Sequence, residues 1–169
     1  DKYTNVGSLK ETDFEAVESL NPDLIIIGGR QAEDIDSFKE IAPTVNLAVD
    51  GQDYMNSFKT VVTDLGNLFD KQDEAKKAID EIEAKIEKVN KTVKEKGLTA
   101  SVVMANEGSI SVFSAKSRYG LIYNGLGFTE ADKNIDDSTH GQQVSFEYFL
   151  ENKSDYVFVV DRGAVTGKG

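Results

Sequence analysis

Arginine is scarce in this chain, three residues against sixteen lysines, and each guanidinium is a planar, permanently charged fork of donors that lysine does not match. Two of the three, Arg30 and Arg162, close copies of one sequence unit. At an offset of 132 residues Phe14-Glu15, Asp23 and Arg30 recur as Phe146-Glu147, Asp155 and Arg162, with an apolar run (LIII, then YVFVV) before each arginine. Each copy predicts a short amphipathic segment, a buried parallel-type strand, and an arginine at or just past the strand's C-terminal end. Open α/β sheets place ligand contacts there. Two such ends facing one another would form a cationic cleft; the competing account is chance recurrence of a common helix-strand unit.

His140 is the only histidine and sits in STHG, a polar loop following Asp136-Asp137. A neutral imidazole is a nitrogen donor for transition metals, and equally an ordinary solvated loop side chain. Other chemistry is thinly supported. Gly125-Leu126-Gly127-Phe128 lacks the third glycine and the preceding strand of a dinucleotide fingerprint, and there is no P-loop lysine pattern and no HExxH. Acidic pairs such as Asp136-Asp137 are expected by composition among 30 acids, and hard-metal sites need more organised ligands. The absence of cysteine removes disulfides, thiol catalysis and thiolate metal sites, and suits an exported or a cytosolic protein.

The 169 residues are 39% apolar and carry a formal net charge of −11, the profile of an acidic globular protein able to bury a core. With no basic run, nucleic acid and anionic membrane surfaces are poor partners. No apolar run reaches the roughly 18 residues that span a bilayer. The chain starts at Asp1 without Met or signal peptide, so a processed or cut product is expected.

The elements that must position these residues alternate. Residues 12–20 read as a helix ended by Asn21-Pro22, Leu24–Ile27 as a strand, 32–41 as a helix, Val45–Val49 as a strand and 53–69 as a helix. From Asp70 to Lys96, apolar residues at steps of mostly three and four (Ala75, Ala78, Ile79, Ile82, Ile86, Val89, Val93) predict one amphipathic helix, roughly 40 Å long and stopped by Gly97. Strands at 100–105 and 110–113, short helices at 119–124 and 145–150, and a strand at 156–160 complete the order lobe, long helix, lobe. The expected fold is α/β: two small lobes, 1–69 and 98–169, each with a mostly parallel sheet flanked by helices, bridged by the helix at 70–97.

PDLIIIGGR, the helix at 70–96, SVFSAKSRYG and DDSTHGQQVSFEYFLENKSDYVFVVDRG, in that order, resemble the class III substrate-binding proteins of iron and vitamin B12 importers. Within them the chain is most similar to the siderophore-binding lipoproteins for petrobactin and related catecholates. The resemblance covers essentially the whole chain and implies two incomplete lobes, with first strands before Asp1 and the rest of the C-terminal lobe after Gly169. It also implies little lobe closure on binding, because one rigid helix joins the lobes.

The same resemblance implies the function and its residues. Arg30 in GGR, Arg118 in KSRYG and Arg162 in VVDRG match the three arginines that hold an anionic ferric complex, and a guanidinium suits flat, oxygen-rich catecholate rings. His140 matches a position that completes the coordination of iron held by a tetradentate siderophore; the partner tyrosine would lie beyond the last residue. Glu15 and Glu147 match the surface carboxylates, one per lobe, that dock on a permease dimer, and each would also complement a helix N-terminus. Implied too are no intrinsic cofactor, a ferric siderophore (Fe3+) as cargo, an ABC importer as partner, no enzymatic activity, and a place outside the cell membrane on a lipid anchor not in this chain. Two alternatives stay open: another iron chelate such as a hydroxamate siderophore or haem, and an α/β enzyme gripping an anionic metabolite through the same arginines. Tyr119 and Tyr123 are placed either facing the cleft beside Arg118 or, as is commoner for aromatic residues on a short helix, in the core.

Overall fold

The computed structural model describes residues 3–167, and these group into two compact units, residues up to 49 and residues from 50 onward.

In the first unit α1 (Phe14–Ser19) begins where the Asp13 carboxylate accepts the Ala16 N–H at 2.9 Å, an N-cap. Pro22 forbids its continuation, and Asn21 turns the chain at φ +47°. Strand β1 (Ile25–Ile27) lies parallel to β2 (Thr44–Asn46), Ile26 opposite Val45. Between them a 3-10 segment, Gly29–Asp34, runs into α2 (Ile35–Ile41). Val17, Ile25, Ile27, Phe38 and Ala42 form the core, with the Phe14 and Phe38 rings 4.9 Å apart. β1 is buried on one face only, because Ile26 points the other way and stays half exposed.

In the second unit α3 (Tyr54–Leu68) packs on α4 (Gln72–Lys96), the long helix expected from the spacing, and Lys59 pairs with Glu83 between them at 2.9 Å. Gly97 ends α4 in the left-handed region at φ +62°, and the Leu98 N–H bonds back to the Val93 carbonyl at 3.1 Å, satisfying an orphan acceptor. Exposed ion pairs four residues apart, among them Lys76 with Asp80 and Lys77 with Glu81, lace its solvated face. None of the helices among the described residues is long and apolar enough to cross a membrane.

The sheet of this unit holds β3 (Thr99–Asn106), β4 (Ser109–Phe113), β5 (Thr129–Glu130), β6 (Gln142–Val144) and β7 (Tyr156–Asp161). β3 runs parallel to β5 and β7, but β4 lies antiparallel to both β3 and β6. The α/β expectation stands, and the mostly parallel sheet is corrected to a mixed one. The cause is a two-residue hairpin: Glu107 at φ +48° and Gly108 at φ +81° make a tight turn that folds β4 straight back on β3. Val93, Ala100, Val102, Phe113, Tyr123 and Phe128 form the core.

Two further expectations change. The residues at 119–124 form a π-type turn, Leu121–Gly125, rather than an α-helix. β7 is not a buried strand: Val157 is 50% and Val159 61% exposed, because they share the face of β7 that is left largely uncovered among the described residues, while Phe158 and Val160 on the other face are partly buried. α5 (Tyr148–Glu151) precedes β7 and α6 (Arg162–Thr166) follows it.

Candidate functional site

In both copies of the repeated unit the arginine stands on a helical turn just after a parallel strand, as the unit implies. Arg30 is the second residue of the 3-10 segment after β1, and Arg162 the first residue of α6 after β7. The side chain of Asp161 accepts the Ala164 N–H at 2.9 Å and so starts the α6 turn directly at Arg162. All three arginines are exposed, and among the described residues none of them pairs with a carboxylate.

Arg118 is the most completely framed of the three. Its loop, residues 114–120, is pinned along its length. The Ala115 N–H donates to Glu130 Oε1 at 2.6 Å, Asn124 Nδ2 to the Ala115 carbonyl at 2.9 Å, Ser117 Oγ to the Ser114 carbonyl at 2.7 Å, and the Gly120 N–H to the Ser117 carbonyl at 2.9 Å. The guanidinium carbon lies 5.5 Å from the Phe113 ring centre and 5.4 Å from that of Tyr119, while the two rings meet edge to face at 4.8 Å. Aromatic faces attract a cation and fix the plane of the guanidinium without neutralising it.

Arg118 opens on a polar recess of about 290 Å³, bounded by residues 50–52, 116–118 and 137–139. Lys116, the second cation on its wall, is engaged by Asp137 Oδ2 at 3.0 Å, and Asp137 Oδ1 accepts the Ser114 hydroxyl at 2.7 Å. These contacts, the Ser114 hydrogen bond foremost and Lys116 next, hold the Asp137 carboxyl below the usual carboxylate range. The recess therefore presents an aromatic-backed guanidinium beside hydroxyl, amide and carboxylate groups.

The other expected residues fall as follows. His140 is exposed at the end of the 137–140 stretch, its N–H directed to Ser138 Oγ at 3.3 Å. Among the described residues no cluster of three or more His, Asp or Glu side chains is arranged to hold a metal. Arg162 leaves the sheet from β7, whose last residue Asp161 pairs with Ala105, whereas Arg118 follows β4, whose last residue Phe113 pairs with Val102. Arg162 does not line the Arg118 recess; its neighbours Asp161 and Gly163 line an apolar recess of about 600 Å³ with Phe146, Val157 and Val159. Arg30 borders a separate polar hollow in the first unit with Lys10, Gln31 and Glu33. Glu15 is exposed on the first turn of α1, and Glu147 is exposed at the N-cap of α5, where the Ser145 hydroxyl and its own N–H hold its carboxyl low.

Tyr123 belongs to the core. Its buried hydroxyl accepts the Val102 N–H and donates to the Phe113 carbonyl, each at 3.1 Å, standing between two residues that are register partners in the hairpin. Tyr119 is the tyrosine beside Arg118. Gly51 and Asp137 were not legible as neighbours of Arg118, because no periodicity or motif links positions so far apart in the chain, whereas Ser114 and Lys116 share the SVFSAKSRYG segment with it.

A profile of the family described as periplasmic binding protein matches residues 1–169. The chain is 49% identical over 168 residues to the petrobactin-binding protein YclQ of Bacillus subtilis, covering 99% of this chain and 53% of that one. It is 34% identical to the ferric-anguibactin-binding protein FatB of Vibrio anguillarum, covering 98% of this chain and 54% of that protein. The crystal structure of the periplasmic catecholate-siderophore binding protein VctP of Vibrio cholerae superposes with a TM-score of 0.92 at 34% identity, over 100% of this chain and 61% of that chain. The chain spans about half the length of these curated relatives.

Proposed function

The chain belongs to the periplasmic binding protein family, and we propose that the protein it forms captures an anionic ferric catecholate-type siderophore outside the cell and delivers it to an ABC importer. The observation that carries this reading is Arg118: exposed, backed by the Phe113 and Tyr119 rings, held on a fully pinned loop and free of carboxylate partners among the described residues. A donor fork kept charged and oriented in advance suits a flat anionic chelate, since little ordering remains to be done on binding. Relatives named for petrobactin and for a catecholate siderophore support the same cargo.

In this reading Arg30 and Arg162 add their charges to the same complex, and His140 supplies a protein nitrogen to iron whose other ligands come from the siderophore. Iron that arrives already chelated needs no preformed cluster of protein ligands. Glu15 and Glu147 serve as docking carboxylates for the permease, and a lipid anchor keeps the protein at the outer face of the membrane. The protein binds and releases without chemistry.

The test is a titration of the full-length protein with a ferric bis-catecholate, following tyrosine emission and the iron charge-transfer band. Saturable binding at one complex per protein, weakened roughly 10- to 100-fold by Arg118→Lys, is the expected result. A wild-type protein that ignores the complex but binds a ferric hydroxamate or haem would overturn the catecholate assignment.

A further inference from the structure

Asp137 joins the two loops that carry Arg118 and His140. We infer that Asp137 is a positioning residue that fastens the 136–141 loop to the 114–118 loop, so that the two face the cargo as one preformed surface; this rests on the siderophore-binding reading above.

The fastening has two points, at Asp137 and at Gly141, and one brace inside the loop. One Asp137 oxygen accepts a hydrogen bond from the buried Ser114 hydroxyl at 2.7 Å, and the other accepts one from Lys116 Nζ at 3.0 Å. Gly141, next to His140, lies directly on the ring that backs Arg118. A β-carbon there would come within 2.8 Å of Phe113 Cζ and 2.7 Å of the Val112 carbonyl, and its φ of +76° disfavours any side chain. At the base of the loop the Asp136 N–H donates to Gln142 Oε1 at 2.9 Å. Phe113 is thus shared, with Gly141 against its edge and Arg118 over it.

Asp137 also sorts the charges. Lys116 and Arg118 line the same recess two residues apart, and Asp137 engages Lys116 and leaves Arg118 unpaired among the described residues. An aspartate is required because it accepts through both oxygens. An asparagine of the same size would turn an NH2 toward one of the two donors.

The experiment compares wild type, Asp137→Asn, Ser114→Ala and the double variant in the full-length protein. Each single change is expected to raise the dissociation constant for the ferric bis-catecholate about tenfold at unchanged stoichiometry. The double variant should be no worse than the weaker single, because both changes open one clasp. A loss of stoichiometry with unchanged affinity would mean misfolding alone and would overturn the proposal, as would wild-type affinity in both single variants or effects that add. Backbone 15N relaxation of residues 136–141 without ligand gives a second arm: the segment should loosen in both variants. If the wild type fails to bind the complex, the siderophore reading is what fails, and the clasp then stands or falls on that arm, a still-ordered segment overturning it.

Discussion

Gly51 lies against the backbone of Arg118 so closely that a β-carbon on it would sit 2.9 Å from both Cα and Cβ of the arginine. The contact is with main-chain and Cβ atoms of a pinned loop, which cannot swing aside as a long side chain would. Gly51→Ala is expected to displace the guanidinium from the Phe113 and Tyr119 rings. Overpacking of this kind costs about 1–3 kcal/mol, and here the penalty should appear as weaker ferric catecholate binding, with the thermal midpoint reduced by only a few degrees. Calorimetric unfolding beside a binding titration checks it; unchanged affinity would show that the loop gives way without moving Arg118.

Tyr123→Phe keeps the ring in the core and removes the hydroxyl that serves both Val102 and Phe113. Two buried backbone groups lose their partner, and the expected loss is about 1–3 kcal/mol in urea unfolding. The hydroxyl also titrates late. Burial pushes its pKa up to about 12 from an ordinary 10, so its contribution is complete below pH 10 and declines as the pH rises toward the folded-state value. An ultraviolet titration should show a late phenolate component that shrinks by one tyrosine in the variant, because Tyr148, also pushed up by burial and by its bond to Asp132, still titrates late.

Asp155 ties the start of β7 to the start of β3. Its carboxylate takes both the Thr99 N–H and the Thr99 hydroxyl at 2.8 Å, and its own N–H donates to Thr99 Oγ at 3.0 Å. The Thr99 N–H first, and then the hydroxyl, hold the carboxyl below the usual aspartate range. A lowered folded-state value means the stabilisation is present above the unfolded pKa and is lost as pH falls through the folded one. Asp155→Asn should lower the urea midpoint at neutral pH, and the gap from wild type should close in acid. A gap that persists at low pH would assign the effect to something other than charge.

Gly97→Ala tests the end of the long helix. No atom lies within 4 Å of the added carbon, so crowding contributes nothing. The expected loss of about 1 kcal/mol comes from the left-handed backbone alone. Gly97→Asn should recover part of it, since asparagine tolerates that region better.

The legible parts of this molecule are those with a local physical cause. The spacing of Ala75 through Val93 makes a helix of any chain that carries it, and the observed element starts at Gln72 and stops at Lys96 against Gly97. The duplicated unit around Arg30 and Arg162 gave two strands, each followed at once by a helical turn bearing the arginine. The hairpin escaped notice because Glu107-Gly108 is not the Asn-Gly or Asp-Gly pair that announces such turns. β6, three residues reading Gln-Gln-Val, has no alternation to betray it. The Arg118 surround was partly readable, since the arginine itself stood out, but Gly51 and Asp137 reach it through folding contacts that leave no trace in local order.

The Tyr123 hydroxyl has a last consequence, for how such a protein can change over generations. Because a side chain from another element closes the pairing at Val102 and Phe113, residues inserted beyond Ser114 need not extend any strand or find a ladder partner. The ladder end beneath the Arg118 loop is thus inherited with the core that supplies Tyr123, and a change in the loop leaves that pairing unaltered.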